Sequence, residues 1–266
     1  MEYETILSDI KKRNFAEVPF KMTSVELTEA AEAYIDFLTL PLETKKLFHF
    51  KVDPGSKRTD VGYRRRHEEI GNADNKEFFH YHELAKTRFK DLVKLTGPKA
   101  EKFFNYAENV FRAASSALSD ILRVIDEKVP GVHDKLFLSE TFPSFYLRFL
   151  KYDVRGSGNF LATGHYDTGG MTLAIAESAP GLRIGKNDLD IKEVPPRQSG
   201  TALFMPALRF IEIDPALCEF TPAWHDVIQK SADVYSNGVA RWAIVFFADP
   251  SSINRLSSKE AHTPKR

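Results

Sequence analysis

The feature that most narrows the possible folds is a change of hydrophobic period near residue 142. Before it, apolar residues recur every three or four positions. Thr23-x-x-Glu26 is a capping-box pattern, and Leu27, Ala31, Tyr34 and Leu38 follow it on one helical face. Leu40-Pro41 stops that helix, and a short second one is predicted from Pro41 to about Phe48. Gly97-Pro98 opens the longest helix, which carries an apolar stripe from Phe103 to Ile125 and ends at Pro130-Gly131. After residue 142 the pattern becomes strand-like, in short runs over 145–152, 171–176, 182–184, 201–205, 209–213 and 241–248, separated by Gly, Pro and Asn/Asp. Helices followed by many short strands predict an α+β chain. Its core is an antiparallel jelly roll (double-stranded β-helix) over 143–250, with the mostly N-terminal helices of 1–142 packed on one side and a polar tail, 251–266, that frays. No boundary divides this into separate domains, and no opening strand is read ahead of the Thr23 cap.

Composition excludes several function classes. Lys+Arg and Asp+Glu balance at 37 each, so no global field exists to hold nucleic acid or an anionic membrane. The single cysteine, Cys218, excludes an internal disulfide and a thiolate zinc cage, and is read as a small buried apolar residue. The longest apolar run, Trp242–Ala248, is too short to cross a bilayer, and no basic leader precedes an apolar stretch. The expectation is a cytoplasmic protein whose partner is a small molecule; nothing in the pattern fixes an oligomeric state.

The chemistry concentrates in Gly164-His165-Tyr166-Asp167-Thr168-Gly169-Gly170, a polar interruption between two apolar runs. Positions i and i+2 of a strand project to one face, so His165 and Asp167 can converge on a divalent metal. Alone, the triplet reads equally as a solvated turn. The other histidine of this half ahead of the tail, His225, follows a polar loop and can approach from a neighbouring strand. Two histidines and one carboxylate cover one face of a six-coordinate ion and leave three positions open, as in non-haem Fe(II) oxygenases; structural zinc prefers a closed set of four. Arg241 stands at the head of the apolar run, where burial is costly unless the guanidinium holds an anion. A dicarboxylate that chelates iron at one end would present its other carboxylate there. His80-x-His82 and His67-x-Glu69 are further donor pairs without a third ligand, His49, His133 and His262 read as surface or helix-end residues, and Trp224 reads as packing beside His225.

Taken together, these strings resemble the isopenicillin N synthase-like branch of the Fe(II)/2-oxoglutarate-dependent dioxygenases, along most of the chain. The residues that carry the likeness are Phe37-Leu38-Thr39-Leu40-Pro41-Leu42-Glu43-Thr44-Lys45, Gly62-Tyr63 with Asp74-Asn75-Lys76-Glu77-Phe78, and Leu147-Arg148-Phe149-Leu150-Lys151-Tyr152. To these add His165-x-Asp167 with Met171-Thr172-Leu173, Gly181-Leu182-Arg183-Ile184, and Arg241-x-Ala243 with Phe246-Phe247-x-x-Pro250. The chain departs from the branch pattern at Asp226, where an arginine is usual after the histidine, at Ala243, where serine is usual, at Leu150, where asparagine is usual, and in a longer spacing from His225 to Arg241.

The resemblance implies that His165, Asp167 and His225 ligate Fe(II) and act as the catalytic centre, and that Arg241 with Tyr152 binds the distal carboxylate of 2-oxoglutarate. It further implies O2 as oxidant, allows ascorbate, and points to oxidation of a small organic molecule by hydroxylation, desaturation or ring closure, with succinate released. An intact Asp167 argues against halogenation. Tyr63, Arg64 and Arg66 are the candidate substrate residues, a clamp for an acidic group near the sandwich mouth. The competing readings are a non-catalytic 2-oxoglutarate sensor and a zinc-dependent hydrolase or isomerase on the same sandwich; the latter leaves Arg241 unexplained.

Overall fold

The computed structural model describes residues 3–52, 60–66, 76–137, 142–155, 158–230 and 238–253. Within them the capping box at Thr23 forms in full: its hydroxyl accepts from the Glu26 amide while the Glu26 carboxylate accepts from the Thr23 amide, opening α2 (Ser24–Leu38). Pro41 precedes α3 (Leu42–Leu47), and Pro98 sits in the first turn of the 29-residue α6 (Pro98–Asp126). The remaining helices are α1 (Tyr3–Arg13), α4 (Glu83–Arg88), α5 (Lys90–Thr96) and α7 (Val132–Phe137).

Twelve strands form two antiparallel sheets. They are β1 (Ala16–Pro19), β2 (His49–Lys51), β3 (Asp60–Arg66), β4 (Lys76–Tyr81), β5 (Phe142–Asp153), β6 (Phe160–Tyr166), β7 (Met171–Glu177), β8 (Leu182–Gly185), β9 (Ile191–Glu193), β10 (Thr201–Pro206), β11 (Trp224–Ile228) and β12 (Val239–Ile253). The larger sheet runs β1-β10-β7-β12-β5-β4-β3-β2, and the smaller β6-β11-β8-β9. The apolar clusters fall on either side of the larger sheet. One lies between it and the helices; the other lies between the two sheets, with Leu150, Ala174 and Met205 from the larger meeting Leu161, Ile184 and Val227 from the smaller. The helix-side cluster explains the 21 phenylalanines: Phe103 of α6 meets Phe37, Phe79 and Phe149 at 5.1, 5.0 and 5.2 Å between ring centroids. Tilted and edge-on aromatic pairs of this kind add stabilisation beyond their buried area.

Several expectations change. The helical half is not only helical: β1 to β4 all join the larger sheet, and β1 pairs β10, so an opening strand exists where none was expected. Four residues alternating in burial are too few to register as a period. The apolar run 209–213 is not a strand; Phe210–Glu212 is a 3-10 turn, followed by a second at Pro215–Glu219 where Asp214 caps the Ala216 amide. Cys218 lies in that turn and is exposed, not buried. His133 is buried inside α7, held to the Ser119 hydroxyl at 2.8 Å, rather than at the surface. The tail starts later than expected, because β12 continues to Ile253 opposite Phe142. His67, Glu69, Asp74 and His262 lie outside the described residues.

The hairpin of β2 and β3 depends on a close backbone approach. Gly62 has φ +102°, and a Cβ there would lie 1.9 Å from the Phe48 carbonyl oxygen. Gly131, at φ +87°, has open space around it. Chemical denaturation should therefore show Gly62→Ala losing about 3 kcal/mol or more, against about 1–2 kcal/mol for Gly131→Ala, which meets only the left-handed penalty. Equal losses would mean that the contact at Phe48 relaxes without cost.

Candidate metal centre

The antiparallel register of β6 and β11 sets His165 directly opposite His225, with ring centroids 4.5 Å apart. Asp167 follows β6 immediately, and its oxygens lie 3.7 Å from Nε2 of each histidine. Donor atoms of the three residues fall within 4.8 Å of one another, the one such group of three among the described residues. The turn after Asp167 is pinned by backbone bonds: the Leu208 amide donates to the Asp167 carbonyl and the Gly170 amide to that of Ala248, at 3.0 and 2.9 Å.

Each ring is oriented by its second nitrogen. His165 Nδ1 lies 2.7 Å from the Thr163 carbonyl and His225 Nδ1 3.2 Å from that of Ala223. A carbonyl only accepts, so each Nδ1 carries the hydrogen and each Nε2 presents a lone pair toward Asp167. Burial first, and then the adjacent His225, lowers the pKa of His165 and keeps its ring neutral. Burial alone would raise the Asp167 carboxyl. His225, the Thr172 hydroxyl at 2.7 Å, His165 and Arg148 outweigh it, and the group stays ionised below its ordinary value. Two neutral imidazoles and one carboxylate with aligned lone pairs are the donor set that a divalent ion requires.

The cavity beside these donors lies between the sheets. Arg241 and Tyr152 both line it and are cross-strand partners in β12 and β5. Arg241 is 3% exposed; its Nε donates to the Ala179 carbonyl at 2.9 Å, and its Nη2 is 3.7 Å from the Glu177 carboxylate, which is bonded by Arg197. Ala243 lines the same wall, so the missing hydroxyl leaves space rather than another group. The candidate substrate residues divide. Tyr63 faces the helices, with its hydroxyl donating to Glu77 at 2.7 Å, and does not line the cavity. Arg64 donates to Asp60 at 2.6 Å, while Arg66 lies over the Phe78 ring at 5.9 Å. His80 and His82 do not pair as donors: His80 bonds the Asp60 carbonyl, and His82 accepts the Leu84 amide as the cap of α4. Sequence reasoning passed over Arg148, His80 and Phe247 as a group, because the contacts joining them span 68 and 99 positions.

The departure at Asp226 has a local cause. Asp226 is buried and pairs in register with Arg183 on β8, which holds it through two bonds of 2.7 and 2.6 Å. On the other side, Trp224 packs across Gly164, where a Cβ would come within 2.7 Å of the indole. His225 is thus fixed by both neighbours. Arg183→Leu should lose about 2–3 kcal/mol in chemical denaturation by stranding the buried carboxylate, and the double variant Arg183→Leu/Asp226→Leu should recover most of that loss. A double variant as unstable as the single one would show that packing, not the charge pair, sets the cost.

In sequence, the chain matches no protein-family model and no curated protein. In structure it matches a full-length hydroxylase-fold protein of Neurospora crassa solved in complex with alpha-KG, at 15% identity over 98% of this chain and 86% of that one, with a TM-score of 0.70. It also matches the 2-oxoglutarate complex of AtDAO1, the dioxygenase for auxin oxidation 1 of Arabidopsis thaliana, at 19% identity over 92% and 86% of the two chains, TM-score 0.68. JOX2 in complex with 2OG, Fe and JA matches at 19% identity over 92% and 70%, TM-score 0.66. The chain has the fold of the solved Fe(II)/2-oxoglutarate oxygenases.

Proposed function

We propose that the protein is a non-haem Fe(II)/2-oxoglutarate-dependent oxygenase acting on a small organic molecule, with a jelly-roll core formed by the two sheets. The observation that carries this is the single face made by His165, Asp167 and His225, opening into a cavity that Arg241 and Tyr152 also line. His165, Asp167 and His225 hold the metal. Arg241 and Tyr152 receive the distal carboxylate of 2-oxoglutarate, where the guanidinium supplies charge and the phenol a hydrogen bond. When bound, Fe(II) supplies activation of O2 coupled to decarboxylation of 2-oxoglutarate to succinate, with oxidation of a substrate C–H bond by hydroxylation, desaturation or ring closure.

The chain's own share is positional. Thr163 and Ala223 fix the tautomers of the two imidazoles, Thr172 orients the carboxylate, and apolar neighbours such as Leu150, Val227 and Met205 limit water around the reacting atoms. The proteins that share the fold include the Neurospora crassa protein in complex with thymine and JOX2 in complex with JA, so small molecules of quite different chemistry are accommodated by this architecture. A zinc hydrolase would leave the placement of Arg241 and Tyr152 without use, and a sensor would bind without turnover.

Two measurements test the reading. Calorimetric titration with Mn(II) should show binding to the wild type, no measurable binding to Asp167→Ala, and a loss of about 10- to 100-fold in Thr172→Val. With Fe(II), O2 and a substrate panel, succinate release should depend on 2-oxoglutarate. Arg241→Ala should raise the 2-oxoglutarate concentration required by at least tenfold. An unchanged requirement would remove Arg241 from the cosubstrate site, and binding of metal and 2-oxoglutarate without succinate across the panel would favour the sensor.

A further inference from the structure

The cavity wall contains a second guanidinium whose position the cosubstrate does not explain. Arg148, on β5, lines the cavity together with the metal donors, and its charge is one of those that lower the Asp167 carboxyl. It is held on three sides. Its Nε donates to Nε2 of His80 at 2.6 Å, and His80 Nδ1 donates in turn to the Asp60 carbonyl at 2.9 Å, which fixes the tautomer able to accept. The guanidinium lies over the ring of Phe247 at 4.5 Å and that of Phe78 at 5.2 Å. Arginine clamped this way loses little further freedom when it binds a planar anion.

The charges around the cavity point the same way. Its lining includes Lys76, Arg148 and Arg241 against Asp167 and Glu177, one positive charge in excess among the described residues. A divalent metal and doubly ionised 2-oxoglutarate cancel each other, so loading the site leaves the excess in place. Glu177 is moreover shared with Arg197. A net positive charge in a partly closed cavity favours entry of a monoanion. The other walls, Leu150, Ala162, Leu182 and Val227 among them, are apolar.

We propose that Arg148 is a substrate-binding residue and that the prime substrate is an organic monocarboxylate with an apolar body, its carboxylate received by Arg148 while the body faces the metal donors. This rests on the oxygenase reading above. The single excess charge favours a monocarboxylate over a phosphate monoester, which carries close to two negative charges at neutral pH. Arg66, over the same Phe78 ring, extends the cationic surface outward along β3.

The test uses the full chain loaded with Zn(II) and saturating 2-oxoglutarate, which binds without turnover. Binding of 2-oxoglutarate is measured first by calorimetry; its failure in the wild type would overturn the oxygenase reading and is distinct from a failure to bind substrate. Ligand-observed NMR then compares monocarboxylates from acetate to 4-fluorophenylacetate, each paired with its primary amide. The wild type should prefer at least one acid over its amide by tenfold or more. Arg148→Gln should abolish that preference and Arg148→Lys retain part of it, while both keep 2-oxoglutarate affinity within the same order of magnitude. Equal binding of acids and amides, binding of neither, or a preference that survives in Arg148→Gln would overturn the proposal.

Discussion

The candidate site depends on the pairing of β6 with β11. Antiparallel strands bring directly opposite residues within about 4.5–5.5 Å, close enough for two imidazoles to address one ion. That register places His165 against His225, and Asp167 reaches the same point because it lies two positions beyond His165. A slip of one residue would turn each histidine to the other face. Trp224 against Gly164 and Arg183 against Asp226 flank His225 in sequence and space, and both contacts oppose such a slip.

The smaller sheet supplies all three metal donors' immediate backbone, but it cannot complete the site. Thr172 comes from β7, Arg241 from β12, and Tyr152 and Arg148 from β5, all in the larger sheet. The inter-sheet apolar cluster therefore sets the distance between the metal face and the cations, and the phenylalanine cluster under α6 holds the larger sheet in shape. Packing at native density makes that spacing stiff, which suits a centre whose partners must stay oriented while ligands exchange.

Local chemistry was legible in the sequence. A capping box needs its two side chains three residues apart, and a strand metal pair needs two donors at i and i+2, so Thr23/Glu26 and His165/Asp167 announce themselves. Arg241 was conspicuous because a cation heading an apolar run is costly. Long-range features were not legible. The short strands β1 to β4 are stabilised by partners distant in sequence rather than by their own periodicity, so the N-terminal half read as helical. The run 209–213 carries strand-like alternation, but Asp214-Pro215 turns the chain into 3-10 geometry instead. The group formed by Arg148, His80, Phe78 and Phe247 exists only after β4, β5 and β12 have paired.

Addition of 2-oxoglutarate to the Fe(II)-loaded protein without oxygen, followed by visible absorption, tests the central claim most directly. Chelation of the cosubstrate at the open positions of the His165, Asp167 and His225 face should produce a weak charge-transfer band that saturates at one equivalent and is absent in Asp167→Ala. A protein that binds Fe(II) yet shows no band, or a band that persists unchanged in Asp167→Ala, would contradict the account.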